Sequence, residues 1–129
     1  MKKLVVIAAS LASIVLILFS SCETPVTFDE TLLIGKWTRP STLENNDGQD
    51  CYRYNADYTG AAWDTGEVAG EEEAQPFTWT LEGAVLTQLH QGEIMGQVVP
   101  KVYTLTTLND STLSYKDDYG VSATFIKEK

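Results

Sequence analysis

Few residues in this chain of 129 could do chemistry. There is one histidine, His90, so any Ser-His-Asp relay would have to run through it. No Gly-x-Ser-x-Gly turn supplies the nucleophile for one. A zinc site needs three or four Cys, His or acidic ligands at suitable spacing. His90, Cys51 and the scattered acids offer none. The run Asn45-Asn46-Asp47-Gly48-Gln49-Asp50 has the composition of a calcium loop. Placing Gly48 at the glycine such a loop requires puts Leu43 at the first ligand position and Tyr54 at the bidentate carboxylate, and both fail. Gly35-Lys36 is followed by Trp37 and lacks the earlier glycine of a phosphate loop. Glu71-Glu72-Glu73 reads as a solvated loop. Whether two of the 18 acids meet in space, as glycoside cleavage needs, is a tertiary question. The chain therefore reads as non-enzymatic, with no metal and no cofactor.

The aromatic residues carry the one binding signal. Trp37, Tyr52, Tyr54, Trp63, Phe77, Trp79 and Tyr103 are the candidates for lining a small apolar or aromatic ligand, with Tyr115 and Phe125 nearby in the pattern. The same rings could fill the interior instead. An eight-stranded barrel is just wide enough to be filled by side chains or to hold one small ligand. With about 95 residues for the strands, the filled interior is the favoured of the two.

The N-terminus has a different chemistry. Lys2 and Lys3 precede an uncharged stretch from Leu4 to Phe19, and Ser20, Ser21 and Cys22 follow. A positive start, an apolar centre and small residues before a cleavage point make a secretory signal. As a helix the 16 apolar-rich residues would be about 24 Å long, short of the roughly 30 Å of a hydrocarbon core. Phe19-Ser20-Ser21-Cys22 resembles the lipobox of bacterial lipoproteins, with Phe19 where leucine is usual. The resemblance implies that residues 1–21 are removed, that Cys22 becomes the acylated first residue, and that the protein is anchored in the outer membrane on its periplasmic or cell-surface face. Glu23 after the cysteine fits that location. Acyl chains, at about 0.8 kcal/mol per buried methylene, make a near-permanent anchor.

Without Lys2 and Lys3 the chain has 7 basic and 18 acidic residues, a net charge of about −11. Nucleic acid and anionic lipid heads are both bound through Lys and Arg, so nucleic-acid binding is excluded as a function class. With Cys22 acylated, Cys51 has no disulfide partner and reads as a small buried hydrophobe. The expected partners are the membrane, through the anchor, and either a small apolar ligand or a partner protein.

The elements that must position the aromatics read as strands. Residues 22–31 form a polar tether, and residues 32–129 a single domain, β throughout. Leu33, Gly35 and Trp37 alternate with Ile34, Lys36 and Thr38 up to Pro40; Asp50 to Tyr54 puts Tyr52 and Tyr54 on one face; Gly60 to Thr65 carries Trp63. Phe77, Trp79 and Leu81 alternate with Thr78, Thr80 and Glu82, and Glu82-Gly83 turns into a strand read on Val85, Thr87 and Leu89 or on Leu86 and its neighbours. Met95 to Thr107 is long, and Pro100 within it marks an edge, a bulge or a break. Leu113 and Tyr115 share a strand, and Val121, Ala123 and Phe125 share the last. No segment has a helical apolar stripe. Eight short strands joined by tight turns predict an all-β, antiparallel, up-and-down barrel.

These residues resemble a bacterial lipocalin-like domain, a calycin-type barrel, over Leu33 to Lys127. The resemblance rests on Gly35-Lys36-Trp37 in the first strand, on the strand and turn from Tyr52 to Gly60, and on the paired hairpins Phe77-Thr78-Trp79-Thr80-Leu81 and Val102-Tyr103-Thr104-Leu105-Thr106. It implies that Gly35 lets the strand bend at the barrel base, that Trp37 plugs the closed end, and that any pocket opens opposite Trp37. The chain departs from the pattern at Tyr58, where the turn normally has glycine, and at Lys127, a poor substitute for the arginine of a second motif. Three roles are open: a tethered ligand-binding domain, a partner-binding module with a full interior, or a small hydrolase or inhibitor acting through its loops.

Overall fold

Residues that alternate in polarity every second position bury one face and solvate the other, and eight such segments joined by tight turns can bury all their inner faces and leave no open edge by closing on themselves. A computed structural model, which describes residues 26–92, 94 and 96–129, has this arrangement. The signal segment and Cys22 lie outside the described residues. The strands are β1 (Gly35–Pro40), β2 (Gln49–Tyr54), β3 (Thr59–Asp64), β4 (Gln75–Glu82), β5 (Val85–Gln91), β6 (Val98–Leu108), β7 (Thr112–Lys116) and β8 (Ser122–Lys127). Each pairs antiparallel with the next, and β8 returns to β1 to close the barrel. The up-and-down meander expected from the turn spacing is the observed topology.

Three local differences have physical reasons. The chain enters through a 3-10 turn at Glu30–Leu32, so Leu33 belongs to that turn and β1 starts at Gly35. A second 3-10 turn, Glu71–Glu73, lies in the loop before β4. The long sixth strand begins at Val98 and runs unbroken through Pro100. Pro100 faces Leu89 of β5, and β7 first joins β6 at Thr104. The side away from β5 is open there, so the missing N–H costs no ladder bond. A bulge between Leu105 and Thr107 then re-aims the strand end.

The base is closed by a fixed set of contacts. Trp37 is fully buried, and its indole N–H donates to Leu33 C=O at 2.8 Å. Lys127 lies across it: Nζ is 5.3 Å from the Trp37 ring centroid and donates to Leu32 C=O at 3.2 Å. The lysine that resembled a poor substitute thus packs on the tryptophan and ties the entry turn to the last strand. Gly35 makes room for it. Its φ is +134°, and a Cβ there would stand 2.7 Å from Lys127 Cε.

Tyr58 occupies the left-handed region at φ 66°, the hairpin position that normally takes glycine. Its ring packs 5.1 Å from Trp79 and its hydroxyl donates to Glu30 at 2.6 Å, which offsets the strain of the conformation.

Replacing Lys127 with Met keeps the aliphatic stem and removes the ammonium. It is expected to lower unfolding free energy by about 1–2 kcal/mol, from the lost cation–π contact and the lost bond to Leu32 C=O. Gly35→Ala should cost more, because it adds backbone strain and displaces the same side chain. Urea unfolding with an unchanged m-value checks both.

Candidate functional site

Inward-facing positions decide what the barrel can hold. Leu33, Trp37, Tyr54, Phe77, Trp79, Leu86, Leu105, Leu113, Tyr115 and Phe125 form one buried cluster. Within it Tyr54 meets Phe77 edge-on at 5.5 Å and Trp79 at 5.8 Å, and Gly60 gives Phe77 its space, since a Cβ there would stand 2.4 Å from the ring. Tyr52 meets Phe125 edge-on at 5.4 Å, and Tyr103 stacks on Tyr115 at 4.2 Å. Of the seven aromatic candidates, Trp37, Tyr54, Phe77 and Trp79 are thus interior packing. Tyr52 and Tyr103 form part of the layer nearest the mouth. Trp63 pairs with Cys51, on the opposite side of the sheet from Tyr52, with Lys36 Nζ 5.3 Å from its ring.

Space opens at the end opposite Trp37, where the resemblance implied it. A cavity of about 370 Å³ is bordered by Arg39, Asp50, Tyr52, Asp64, Gln75, His90 and Lys101, with Trp63, Glu67 and Glu73 at its rim. Its wall is polar, unlike the interior below.

Each polar wall residue is positioned by strand parity. Arg39 lies two residues after Trp37 on the same face. Its Nε donates to Asp50 at 3.1 Å, and its guanidinium lies 4.8 Å from the centre of the Phe125 ring. Arg39 borders the cavity, and a guanidinium fork there suits a carboxylate or a polar planar group. Asp50 faces Asp64 across the β2–β3 ladder. Burial, with the neighbouring Asp64, raises the Asp50 pKa against the pull of Arg39. Asp64 is held low, at about 2, by the Ser41 hydroxyl (2.6 Å), the Gly66 N–H (2.8 Å) and the Asn46 amide (2.9 Å). These bonds tie the β1–β2 loop to the β3–β4 loop. A Cβ on Gly66 would stand 1.8 Å from Asn46 Oδ1, so the two loops meet without room for a side chain. Two carboxyls with divergent pKa values are a pattern that acid–base sites use. Here Asp64 is occupied by the loop clip and Asp50 by Arg39.

His90 ends a buried relay. Gln88 donates from Nε2 to the Tyr54 hydroxyl at 2.7 Å, so its carbonyl oxygen must accept from His90 Nε2, also at 2.7 Å. His90 stacks on Phe77 at 4.9 Å. Burial, with Lys101 nearby, lowers its pKa from 6.5 to about 4, so the ring is neutral at pH 7 and Nδ1 is its acceptor. Burial pushes the Tyr52 hydroxyl up to about 12, so it is a donor at all ordinary pH. Cys51 is buried and free, and burial raises its thiol pKa, which suits packing and not nucleophilic attack.

No protein-family model, curated protein or solved structure matches this chain.

Arg39, Asp50, Asp64, Gln75 and Lys101 were not singled out by motif. For Arg39, Asp50 and Lys101 the signal that could have found them is parity: a charged residue on the inward face, two positions from an aromatic.

The acid limb of stability follows from His90. The folded state binds its proton less readily than the unfolded chain, so its contribution is full above pH 6.5 and is lost as pH falls toward 4. Asp64, whose pKa is depressed, adds a second loss as pH falls from 3.8 toward 2. The raised Asp50 pKa opposes both, favouring the folded state as that carboxyl protonates. Thermal melting should drop between pH 6.5 and 4, and His90→Gln should flatten that segment while leaving the fall below pH 4.

Proposed function

We propose that this protein is a membrane-anchored, non-enzymatic binding module that seats a small ligand in the mouth of its barrel. The observation that carries the reading is the contrast between a filled interior and an open mouth. The buried aromatics leave the lower barrel to side chains, and the space of about 370 Å³ lies above them, walled by hydrogen-bonding groups. A cavity of that size suits a small molecule. The wall moves the ligand class from purely apolar to amphiphilic. Such a ligand sets an aromatic or apolar body on Tyr52 and the Arg39–Phe125 stack, and a polar group toward the Arg39 fork, Lys101 or His90 Nδ1. The filled interior favours a second reading, in which the outer face engages a partner protein and the barrel takes no ligand.

Anchoring is supported by the sequence order: a charged start, an apolar stretch, two serines and Cys22. The reading places the domain at the outer membrane, held by acyl chains on Cys22.

Two experiments test these parts. Native mass spectrometry of the full protein, isolated from its own host in mild detergent, should find a bound small molecule. Arg39→Gln should reduce its occupancy by about tenfold, the worth of one charge-assisted pair, without unfolding the barrel. A ligand-free spectrum from fresh preparations supports the partner-binding reading. For the anchor, Cys22→Ser should abolish acylation in the intact mass and move the protein out of the membrane fraction. An unmodified Cys22 in the wild-type protein would remove the anchor from the account.

A further inference from the structure

The outer face of β5 and β6 carries no charge. Its apolar positions are Val85, Leu89, Val98, Pro100 and Val102, all exposed, with the four aliphatic ones between 38% and 58% accessible. The register sets them side by side: Leu89 faces Pro100, Thr87 faces Val102, Gln91 faces Val98 and Val85 faces Thr104. Pro76 and Thr78 of β4 extend the surface, and with Leu89 and Val98 they border a shallow depression of about 440 Å³. Among the described residues of these strands, charge returns at the margins, with Glu82 beside Val85 and Lys116 beside Thr104. In a chain with a net charge of −9, such a field of uncharged side chains over two adjacent strands marks an interaction surface.

The position of the chain's first described residues identifies the occupant. The Phe28 N–H donates to Gly83 C=O at 3.1 Å, and Val26 C=O lies against Gly83. Gly83 is in the β4–β5 turn, two residues before Val85. Residues 1–25, which precede Val26, therefore join the described chain at one end of this face. Cys22 is four residues from Val26, a reach of at most about 14 Å.

We infer that the β5–β6 outer face lies on the lipid surface to which the N-terminus is anchored. The inference rests on the membrane-anchor reading above. Held within that reach, the face meets the bilayer at a high effective concentration, so an affinity too weak to bind free protein suffices to orient anchored protein. Its chemistry fits the interface. Val, Leu and Pro side chains enter the headgroup region, and Thr87, Thr104 and Gln91 meet it without the repulsion that acidic loops would face. With β5 about 20 Å long, contact along its whole length lays the barrel on its side.

The test uses the acylated protein that begins at Cys22, with Cys51→Ala, in vesicles of phosphatidylethanolamine and phosphatidylglycerol. A bimane label is placed at Leu89→Cys on the face, or at Ser114→Cys on the outer side of β7. Flotation reports the anchor. Quenching by brominated acyl chains reports the face, and is expected to be at least about twofold stronger at Leu89 than at Ser114. Val102→Glu should abolish that difference while flotation persists. Protein that floats with equal quenching at both positions overturns the docking and leaves the anchor standing. Protein that does not float overturns both. Shielding of the Leu89 label in detergent, with crosslinking between copies, assigns the face to a second copy and overturns the inference.

Discussion

The barrel depends on how its last strand is held to its first. β8 meets β1 through only two register pairs, Trp37 with Lys127 and Thr38 with Ile126, whereas β5 and β6 share seven. A ladder that short is a weak seam, and the seam is reinforced by side chains. The Lys127 ammonium lies over Trp37 and bonds Leu32 C=O, Trp37 bonds Leu33 C=O, and the Glu128 N–H adds one more bond to Lys36 C=O at 2.8 Å. Entry turn, first strand and last strand thus meet at one tryptophan. The bond to a charged donor, largely shielded from water, is worth more than a neutral one at the surface. Gly35 belongs to this joint because only a residue without Cβ clears the lysine at that φ.

Closing the base in this way forces the difference between the two ends. Large rings crossing from several strands fill the lower barrel, and packing near crystal density leaves no comparable space there. Towards the other end the inward positions change from Trp37 to Arg39, from Tyr52 to Asp50 and from Tyr103 to Lys101. Charges cannot be buried among rings unless paired, so they sit where water reaches them, and they prop the mouth open. Arg39 is the transition: its plane lies on Phe125 while Asp50 takes its Nε–H. The Tyr54–Gln88–His90 relay is a polar thread running down into the aromatic layer.

Much of this was legible in the residues. Alternation located the eight strands, because side-chain direction in a strand repeats every two positions whatever the tertiary setting. The plug at Trp37 and the opening opposite it were implied only by the family resemblance that Gly35-Lys36-Trp37 helps to carry. Aromatic identity alone was not enough for the site. Trp63 has the same composition signal as Trp79, yet register sets it beside Cys51 across the sheet from Tyr52, and a one-residue difference in phase decides the face. Lys127 looked unsuited to its place because a lysine lacks the planar fork of arginine, and the structure uses it as a point charge over a ring with a single carbonyl partner. The Asp64 clip could not be read at all, since Ser41, Asn46 and Asp64 converge only after two loops fold together.

The same end-to-end asymmetry extends to the protein's acidity. The loops around the mouth, residues 41–48, 65–74 and 117–121, carry Glu44, Asp47, Glu67, Glu71, Glu72, Glu73, Asp117 and Asp118. The turns at the base carry Asp57, Glu82 and Asp110, and Asp29 and Glu30 stand where the chain enters, beside Gly83. Both ends are therefore acidic, the mouth more so. The chain enters at the base and the cavity opens at the opposite end, so the mouth faces away from the point of chain entry, which is where a cavity must face if molecules are to reach it from solution.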